Sequence, residues 1–321
     1  MAGFKVIHPG ILSLLQDAGR YGWHGIGLTT GGPMDRQAFR WANRLCGNDD
    51  SGSHNNSSAI EVTVGGLVLE AEGNSNLAVT GADIPLTINK QPAALWQTHR
   101  VKSGDRIELG YATQGSRNYL AVTGGFQAEA IFDSQATVPR EGLGGLHQNG
   151  QVLQVDDHLP CPESGQQTPL LRVPEKLRPE NNGSILLRVI LGYQQHAFTE
   201  IQKQLFFSSE YTLTQSCDRM GYRLSGAQIS PSIDGILSEG ICLGAIQVPA
   251  DGQPIILLRD RQTIGGYPKL GSVLSLDLDR LAQLVPGDTL RFEPISIDQA
   301  HNALLLAEQK FAAARLETVH V

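Results

Sequence analysis

The sequence predicts a mainly β protein with a few helices. It has 36 glycines and 16 prolines in 321 residues, and aromatic residues make up 6%, which indicates many turns and short strands. Between residues 60 and 125, short apolar runs alternate with turn pairs such as Gly65-Gly66 and Asn89-Lys90. This rhythm is typical of a closed or partly closed antiparallel barrel.

The first half is predicted to open with a strand at residues 4–7, which a Pro-Gly pair ends. Asp35 is a predicted N-cap for a helix that runs to about Cys46. Residues 48–58 are polar and glycine-bearing, and are predicted to form an inserted surface loop. The later strands of this half are predicted at 60–64, 67–71, 77–80, 84–88, 107–109 and 119–122.

The second half follows a segment rich in Pro, Glu, Gln and Ser, which predicts a domain boundary. Its strands are predicted at 185–191, 211–215 and 289–292, and its helices at 196–207, 277–285 and 296–317. Ser296 and Gln299 form the capping box of the last helix. We expect a first domain at 1–160, a linker at 161–182, a second domain at 183–295, and a C-terminal helix and tail at 296–321.

One segment, residues 244–271, holds most of the candidate chemistry. Two strands are predicted in it, and the second is a continuous apolar run too short for a helix. Asp260 follows that run, and alternation along an extended chain predicts that its side chain points away from the two flanking arginines. Gly265 and Gly266 come next, and such glycines let a ligand approach the backbone closely. The segment predicts either a ligand site or an ordinary solvated hairpin end.

Composition excludes several classes of protein. A net charge of −7 argues against a general nucleic-acid binder. The four cysteines form no CxxC pair, so a zinc or redox motif is not expected. No signal peptide and no apolar run of membrane-spanning length is found, so we expect a cytoplasmic protein without a membrane partner.

Common catalytic and cofactor motifs are also absent from the sequence. It has no Gly-Lys pair for a Walker A loop and no Met-Lys-Met signature of a biotin-accepting module. Neither Gly-x-Ser-x-Gly nor His-Glu-x-x-His occurs. If ATP or biotin enters the reaction, we expect another chain to carry it, and we expect no metal site.

Three blocks of sequence carry a family resemblance. They are QDAGR at residues 16–20 with GGPMD at 31–35, RMGYRL at 219–224, and IQVPADGQPI with QTIGGYP within 246–268. In this order they resemble the biotin-dependent carboxyltransferase / 5-oxoprolinase C-subunit family, which is allophanate hydrolase subunit 2-like. The resemblance implies two cyclophilin-like β-barrel domains in tandem. Relatives have an acidic residue near position 194, where this chain has Gln194 and Gln195.

The resemblance and the residue types together give a candidate site. The candidate catalytic residues are Asp260, Arg219 and Tyr267. The candidate substrate-binding residues are Gln247, Gln262, Gly265, Gly266, Tyr222, Gln16, Asp17, Arg20, His24 and Asp35. Arginine can hold a carboxylate, an aspartate can act as a general base, and glycine N–H groups can stabilise an oxyanion. The alternative is structural: Arg219 and Tyr222 brace Asp260, and Asp17 and Arg20 pin a loop.

The resemblance implies three possible functions, each of which requires a partner. The first is one component of an ATP-dependent 5-oxoprolinase, which opens 5-oxo-L-proline to L-glutamate with a B-type sister subunit and an A-type subunit. The second is a carboxyltransferase component that acts from carboxybiotin on urea or a related amide. The third is a non-enzymatic regulator that binds a kinase-inhibitor protein. In the first two, this chain alone is inactive and binds neither ATP nor carboxybiotin without partner subunits.

Overall fold

The computed structural model of the chain describes residues 2–48, 57–164, 169–180, 184–233 and 235–319. Most of the predicted insertion, residues 49–56, lies outside the described residues. The chain forms two compact units: Met1–Tyr21 with Thr30–Asn181 and Arg315–Val321, and Gly22–Thr29 with Asn182–Ala314. Two short segments thus belong to a different unit from their neighbours in sequence. The domain boundaries expected from the sequence stay a prediction.

The first unit is built from two antiparallel sheets and one helix. Its strands are β1 Ala2–Pro9, β2 Leu12–Gln16, β3 Ala59–Thr63, β4 Leu67–Ala71, β5 Ser75–Asp83, β6 Leu86–Ile88, β7 Gln91–Ala93, β8 Thr98–Val101, β9 Arg106–Leu109, β10 Gln114–Val122, β11 His158–Cys161 and β12 Leu171–Arg172. One sheet has the order β11-β1-β4-β9-β6-β7 and the other β2-β3-β10-β5-β8. Residues of both sheets, among them Phe4, Leu69, Ile60 and Leu120, share one hydrophobic core.

Helix α1, Arg36–Leu45, begins where the sequence predicts. The Asp35 side chain accepts a hydrogen bond from the Ala38 N–H at 2.8 Å, which satisfies one of the helix's first amide donors. The helix buries Phe39, Trp41 and Leu45. Loss of such a cap typically costs about 1 kcal/mol, so Asp35 is accounted for by the helix that it starts.

The second unit is a closed barrel with three helices. Its strands are β13 Ser184–Leu191, β14 Glu210–Cys217, β15 Gly221–Ser225, β16 Glu239–Gly240, β17 Ala245–Gln247, β18 Ile255–Leu257, β19 Ile264–Gly265, β20 Lys269–Val273 and β21 Thr289–Pro294. Seven of them close in the order β13-β20-β17-β18-β15-β14-β21, while β16 and β19 form a separate two-stranded sheet. Closure leaves the barrel without an exposed strand edge. The mainly β fold predicted from the sequence is confirmed.

The helices of the second unit are α2 Glu200–Ser208, α3 Ser275–Leu281 and α4 Ile297–Ala313. The capping box of Ser296 and Gln299 is present at the start of α4. The helix predicted at 196–207 is wrong at its start, because Tyr193–Ala197 is a 3-10 turn and Thr199 caps α2. After α4 the chain ends in β22, Glu317–Thr318, which pairs with β12 in the first unit. No helix among the described residues is both long and apolar enough to cross a bilayer.

Candidate functional site

Gln247 is a buried polar side chain of the barrel that lacks a hydrogen-bond partner at its nitrogen. It lies on β17 opposite Lys269 of β20 and is 1% exposed. Its Nε2 is buried and donates to no acceptor among the described residues. An unsatisfied buried donor costs about 1–3 kcal/mol, and native structures seldom keep one without a reason. A ligand with an acceptor oxygen at this position would satisfy it.

Gly265 leaves the space in front of that amide. A Cβ atom at this residue would lie 2.9 Å from the Gln247 Nε2 and 2.6 Å from the Ile241 Cδ1, both too close for a side chain. Neither Gly265 nor Gly266 has a left-handed φ, so space rather than backbone conformation requires the glycine at 265. The Gln262 Nε2 lies 3.6 Å from the same Cβ position. The GGYP glycines therefore do allow close approach, as the sequence predicts.

An ion pair that the sequence pattern did not reveal lies beside Gln247. The Lys269 ammonium donates to the Glu239 carboxylate, and the side chains are 11% and 30% exposed. Glu239 lies opposite Gly265 in the β16–β19 pair, and Lys269 lies opposite Gln247. Since directly opposed strand residues project on the same face, strand register brings the amide, the glycine and the ion pair together.

Gln194 ties this ion pair to the end of β13. Its Nε2 donates to Glu239 at 2.8 Å, and its Oε1 accepts from the Lys269 backbone N–H at 2.8 Å. Tyr193, which is 69% exposed, also hydrogen-bonds to Glu239. The carboxylate thus receives three donors, so it and the ammonium are held in one geometry.

The pKa of Glu239 reflects this surrounding. Burial alone would raise the pKa of its carboxyl group, but hydrogen bonds from Lys269, Tyr193 and Gln194 and the charge of Lys269 together lower it below the ordinary value. The hydrogen bond to Glu239, together with burial, raises the pKa of the Tyr193 hydroxyl. Glu239 is therefore a carboxylate and Tyr193 a neutral donor at neutral pH.

Arg219 and Asp260 form a separate, closed ion pair. The Arg219 Nε and Nη2 donate to the two Asp260 carboxylate oxygens at 2.8 and 3.0 Å, and both side chains are under 10% exposed. The Asp260 backbone N–H also donates to the Arg219 carbonyl at 2.8 Å. Asp260 lies in a turn after β18, so the prediction from strand alternation is wrong because the strand ends at Leu257. Both faces of this pair are used within the protein.

The other predicted residues of the second unit are more scattered. Tyr222 is buried on β15, where it lies opposite Ile256 of β18. Tyr267 is 48% exposed, beyond the two glycines. The catalytic and binding roles assigned to these residues stay predictions.

Residues 26–294 match the family model described as carboxyltransferase domain, subdomain A and B. The chain belongs to this carboxyltransferase family. It is similar to the C subunit of 5-oxoprolinase from Escherichia coli (strain K12), with 34% identity over 302 residues that make up 93% of each chain. The Haemophilus influenzae protein of the same name is 34% identical over 288 residues, 89% of each chain. The Kluyveromyces lactis urea carboxylase structure matches with a TM-score of 0.87 at 28% identity, over 96% of this chain and 29% of that one.

Three predicted residues that precede the carboxyltransferase match hold a loop in the first unit. Gln16 donates to the Thr137 carbonyl at 2.9 Å and accepts from the Gly32 N–H at 3.1 Å. Asp17 accepts from the Ser134 hydroxyl and the Gln135 N–H, and Arg20 donates to the carbonyls of Ile131, Ser134 and Ala136. All three are buried, at 0–2% exposure. Their contacts favour the structural interpretation, in which they fix residues 131–137.

His24 belongs to the second unit of the carboxyltransferase domain, unlike those three residues. Both of its ring nitrogens are buried and have no hydrogen-bond partner among the described residues. Thr29, in the same segment, donates to the carbonyls of Arg259 and Arg261 at 3.1 and 2.9 Å. This anchor attaches the segment to the turn that contains Asp260. In the part of the chain that the structure describes, His24 and Gln247 are thus two side chains of the second unit with unsatisfied nitrogens.

Proposed function

We propose that this chain is one component of an ATP-dependent 5-oxoprolinase, which opens 5-oxo-L-proline to L-glutamate and is active only with its sister subunits. The supporting observation is similarity along nearly the whole of both chains, 93% of each, to a protein named as the C subunit of 5-oxoprolinase. A match of that extent leaves no separate domain of either protein to carry a different activity. We expect a B-type sister subunit and an A-type subunit to complete the enzyme.

The residues around Gln247 suit the chemistry of a cyclic amide. When water adds to the lactam carbon, negative charge develops on the carbonyl oxygen, and donors fixed in advance lower the barrier. The Gln247 Nε2 is such a donor, buried and without a partner among the described residues. Gly265 keeps the space before it open. We assign Gln247 to the lactam oxygen, and Asp260 to the support of the turn rather than to proton transfer.

The same residues do not suit a nucleotide. A triphosphate requires a run of backbone N–H groups or carboxylates for Mg²⁺, whereas the described neighbours of Gln247 offer one amide and one lysine. We therefore place ATP on a sister subunit in this proposal. The carboxylate of carboxybiotin would fit one amide and one lysine, and this keeps carboxyl transfer to urea or a related amide as the alternative. The fold similarity to a urea carboxylase favours that alternative.

The test is reconstitution. The chain is purified with and without its sister subunits, and glutamate formed from 5-oxo-L-proline is measured with ATP present. We expect turnover only when all subunits are present. Turnover by the chain alone, or none by the full set, would contradict the proposal.

A second assay separates the two enzymatic functions. The same complex is given urea, bicarbonate and ATP, and loss of activity on addition of avidin is measured. A 5-oxoprolinase should be indifferent to avidin and inactive on urea, whereas a biotin-dependent carboxyltransferase should be inhibited. Tight assembly with a partner but no turnover on either substrate would favour a regulatory protein.

A further inference from the structure

The barrel carries a lysine that the proposed lactam chemistry does not use. Lys269 is 9% exposed, and burial of a lysine is unusual unless its charge is paired. It lies directly opposite Gln247 across β17 and β20, so the two side chains project on the same face. A neutral amide donor and a cation at neighbouring positions match a ligand with an amide oxygen and a negative charge a few ångströms away.

Other cations near this site are held by contacts of their own. Arg219 makes two hydrogen bonds to Asp260. Arg261 donates to the carbonyls of Ile241 and Leu258 at 3.1 and 3.2 Å. Lys269 differs, because its partner Glu239 is 30% exposed and lies at the solvent side of the cluster. An ammonium has three donors, so Lys269 can keep Glu239 and still bind a ligand.

We propose that Lys269 binds the carboxylate of the substrate and makes the site specific for a lactam that bears a carboxylate. Glu239 is a positioning residue: with Gln194 and Tyr193 it fixes the ammonium and partly neutralises its charge. The inference rests on the proposed function, because that function supplies the substrate class. It adds a two-point recognition, with Gln247 on the lactam oxygen and Lys269 on the carboxylate.

Glu239 gives the proposal a consequence that a merely structural ion pair would not have. A negative charge beside the ammonium weakens the attraction between Lys269 and a second carboxylate. Glu239→Gln keeps a hydrogen-bonding side chain of the same shape but removes that charge. This variant should therefore bind the carboxylate ligand more tightly than the unsubstituted protein, whereas loss of a structural brace would weaken binding.

The experiment compares two probes that differ by one carboxylate. Affinities for 5-oxo-L-proline and for 2-pyrrolidinone, which is the same ring without the carboxylate, are measured by calorimetry without ATP. The full chain is used both alone and assembled with its sister subunits. We expect 5-oxo-L-proline to bind about 10- to 100-fold more tightly, the range for one charge-assisted hydrogen bond.

The variants then assign this preference to a residue. Lys269→Met should reduce the affinity for 5-oxo-L-proline to that for 2-pyrrolidinone and leave the latter within about twofold, and Lys269→Arg should restore part of the difference. Glu239→Gln should increase the affinity for 5-oxo-L-proline about three- to tenfold without affecting 2-pyrrolidinone. Lys203→Met is the matched control, because Lys203 has a similarly buried side chain, 12% exposed, in a Lys–Glu pair on α2, and should change neither affinity.

Several outcomes would overturn the inference. They are no preference for the carboxylate probe, no binding of either probe in either preparation, an equal loss of both affinities in Lys269→Met, or weaker binding in Glu239→Gln. The proposed function fails separately. If the Lys269-dependent preference is present but the full complex releases no glutamate, the carboxylate site stands and the hydrolytic function does not.

Discussion

The second unit contains two polar clusters that differ in whether their hydrogen-bonding groups are used. Arg219 and Asp260 lie 41 residues apart in sequence and satisfy one another with two hydrogen bonds, both side chains being buried. Gln247 keeps an unsatisfied nitrogen, and the Lys269–Glu239 pair beside it is partly exposed. A closed pair has no capacity left for a ligand, whereas the open cluster does. Charge alone therefore does not mark a site, and unused donors do.

The largest expected effect comes from breaking the closed pair. Asp260→Ala leaves the buried Arg219 guanidinium without its counterion, and such a loss costs about 3–5 kcal/mol. Urea unfolding of the chain measures the change in free energy. The control is Asp251→Ala, which removes an exposed Arg–Asp pair with side chains 42% and 49% exposed and should cost less than about 1 kcal/mol.

Asp260→Asn tests the catalytic alternative for the same residue. If Asp260 is a brace, this variant loses stability but the folded complex keeps most of its turnover. If Asp260 is a general base, stability stays near that of the unsubstituted chain and turnover falls about 100-fold or more. The second pattern would contradict the assignment of Asp260 to structure.

The next effect should come from the open cluster and appear in activity. Gln247→Met removes the unsatisfied amide at nearly constant volume, and loss of one oxyanion donor typically lowers kcat about 100-fold or more. The melting temperature should stay the same or rise, because that nitrogen makes no hydrogen bond within the described part of the chain. Reconstituted turnover and thermal unfolding are measured on the same preparations.

Gln253 is the matched control for that variant. Its amide accepts from the Gly226 N–H at 2.9 Å and donates to the Gly226 carbonyl at 3.3 Å, so it is satisfied within the protein. Gln253→Met should lower the melting temperature and leave turnover unchanged. Equal loss of turnover in both variants would mean that Gln247 acts through the fold and not on the substrate.

A smaller effect should follow from filling the space before the amide. In Gly265→Ala the new methyl group would overlap Ile241 and the Gln247 nitrogen, and overpacking of this kind costs about 1–3 kcal/mol. Gly240→Ala in the same two-stranded sheet has no atom within 4 Å of its Cβ and should cost far less. Denaturant midpoints compare the two. Similar values would show that the space at Gly265 is not constrained.

Sequence could predict the elements but not the register that brings the open cluster together. Strand β4 is predicted with its correct bounds because buried and exposed positions alternate along it, and the caps at Asp35 and Ser296 have local signatures. Lys269 and Glu239 escape prediction because they meet Gln247 and Gly265 only through strand pairing. Lys269 did offer a signal, a lysine directly after the GGYP motif and before an apolar residue. Glu239 offered none.

The smallest effect is a pH dependence of stability at Glu239. Its pKa in the folded chain lies below the ordinary value of 4.5, because the hydrogen bonds and the charge of Lys269 outweigh burial. The folded state therefore holds this proton less readily than the unfolded state. The pair stabilises the chain above about pH 4.5, and the contribution is lost as pH falls through the folded pKa.

Glu239→Gln should thus be less stable than the unsubstituted chain near neutral pH, and the difference should shrink in acid as the carboxylate takes up its proton. Urea unfolding at several pH values between about 3 and 7 measures it. In a Lys269→Met background the same substitution should produce a much weaker pH dependence, because Lys269 supplies both a hydrogen bond and the opposite charge. An undiminished dependence in that background would separate Glu239 from Lys269 and remove the physical basis for treating them as one unit.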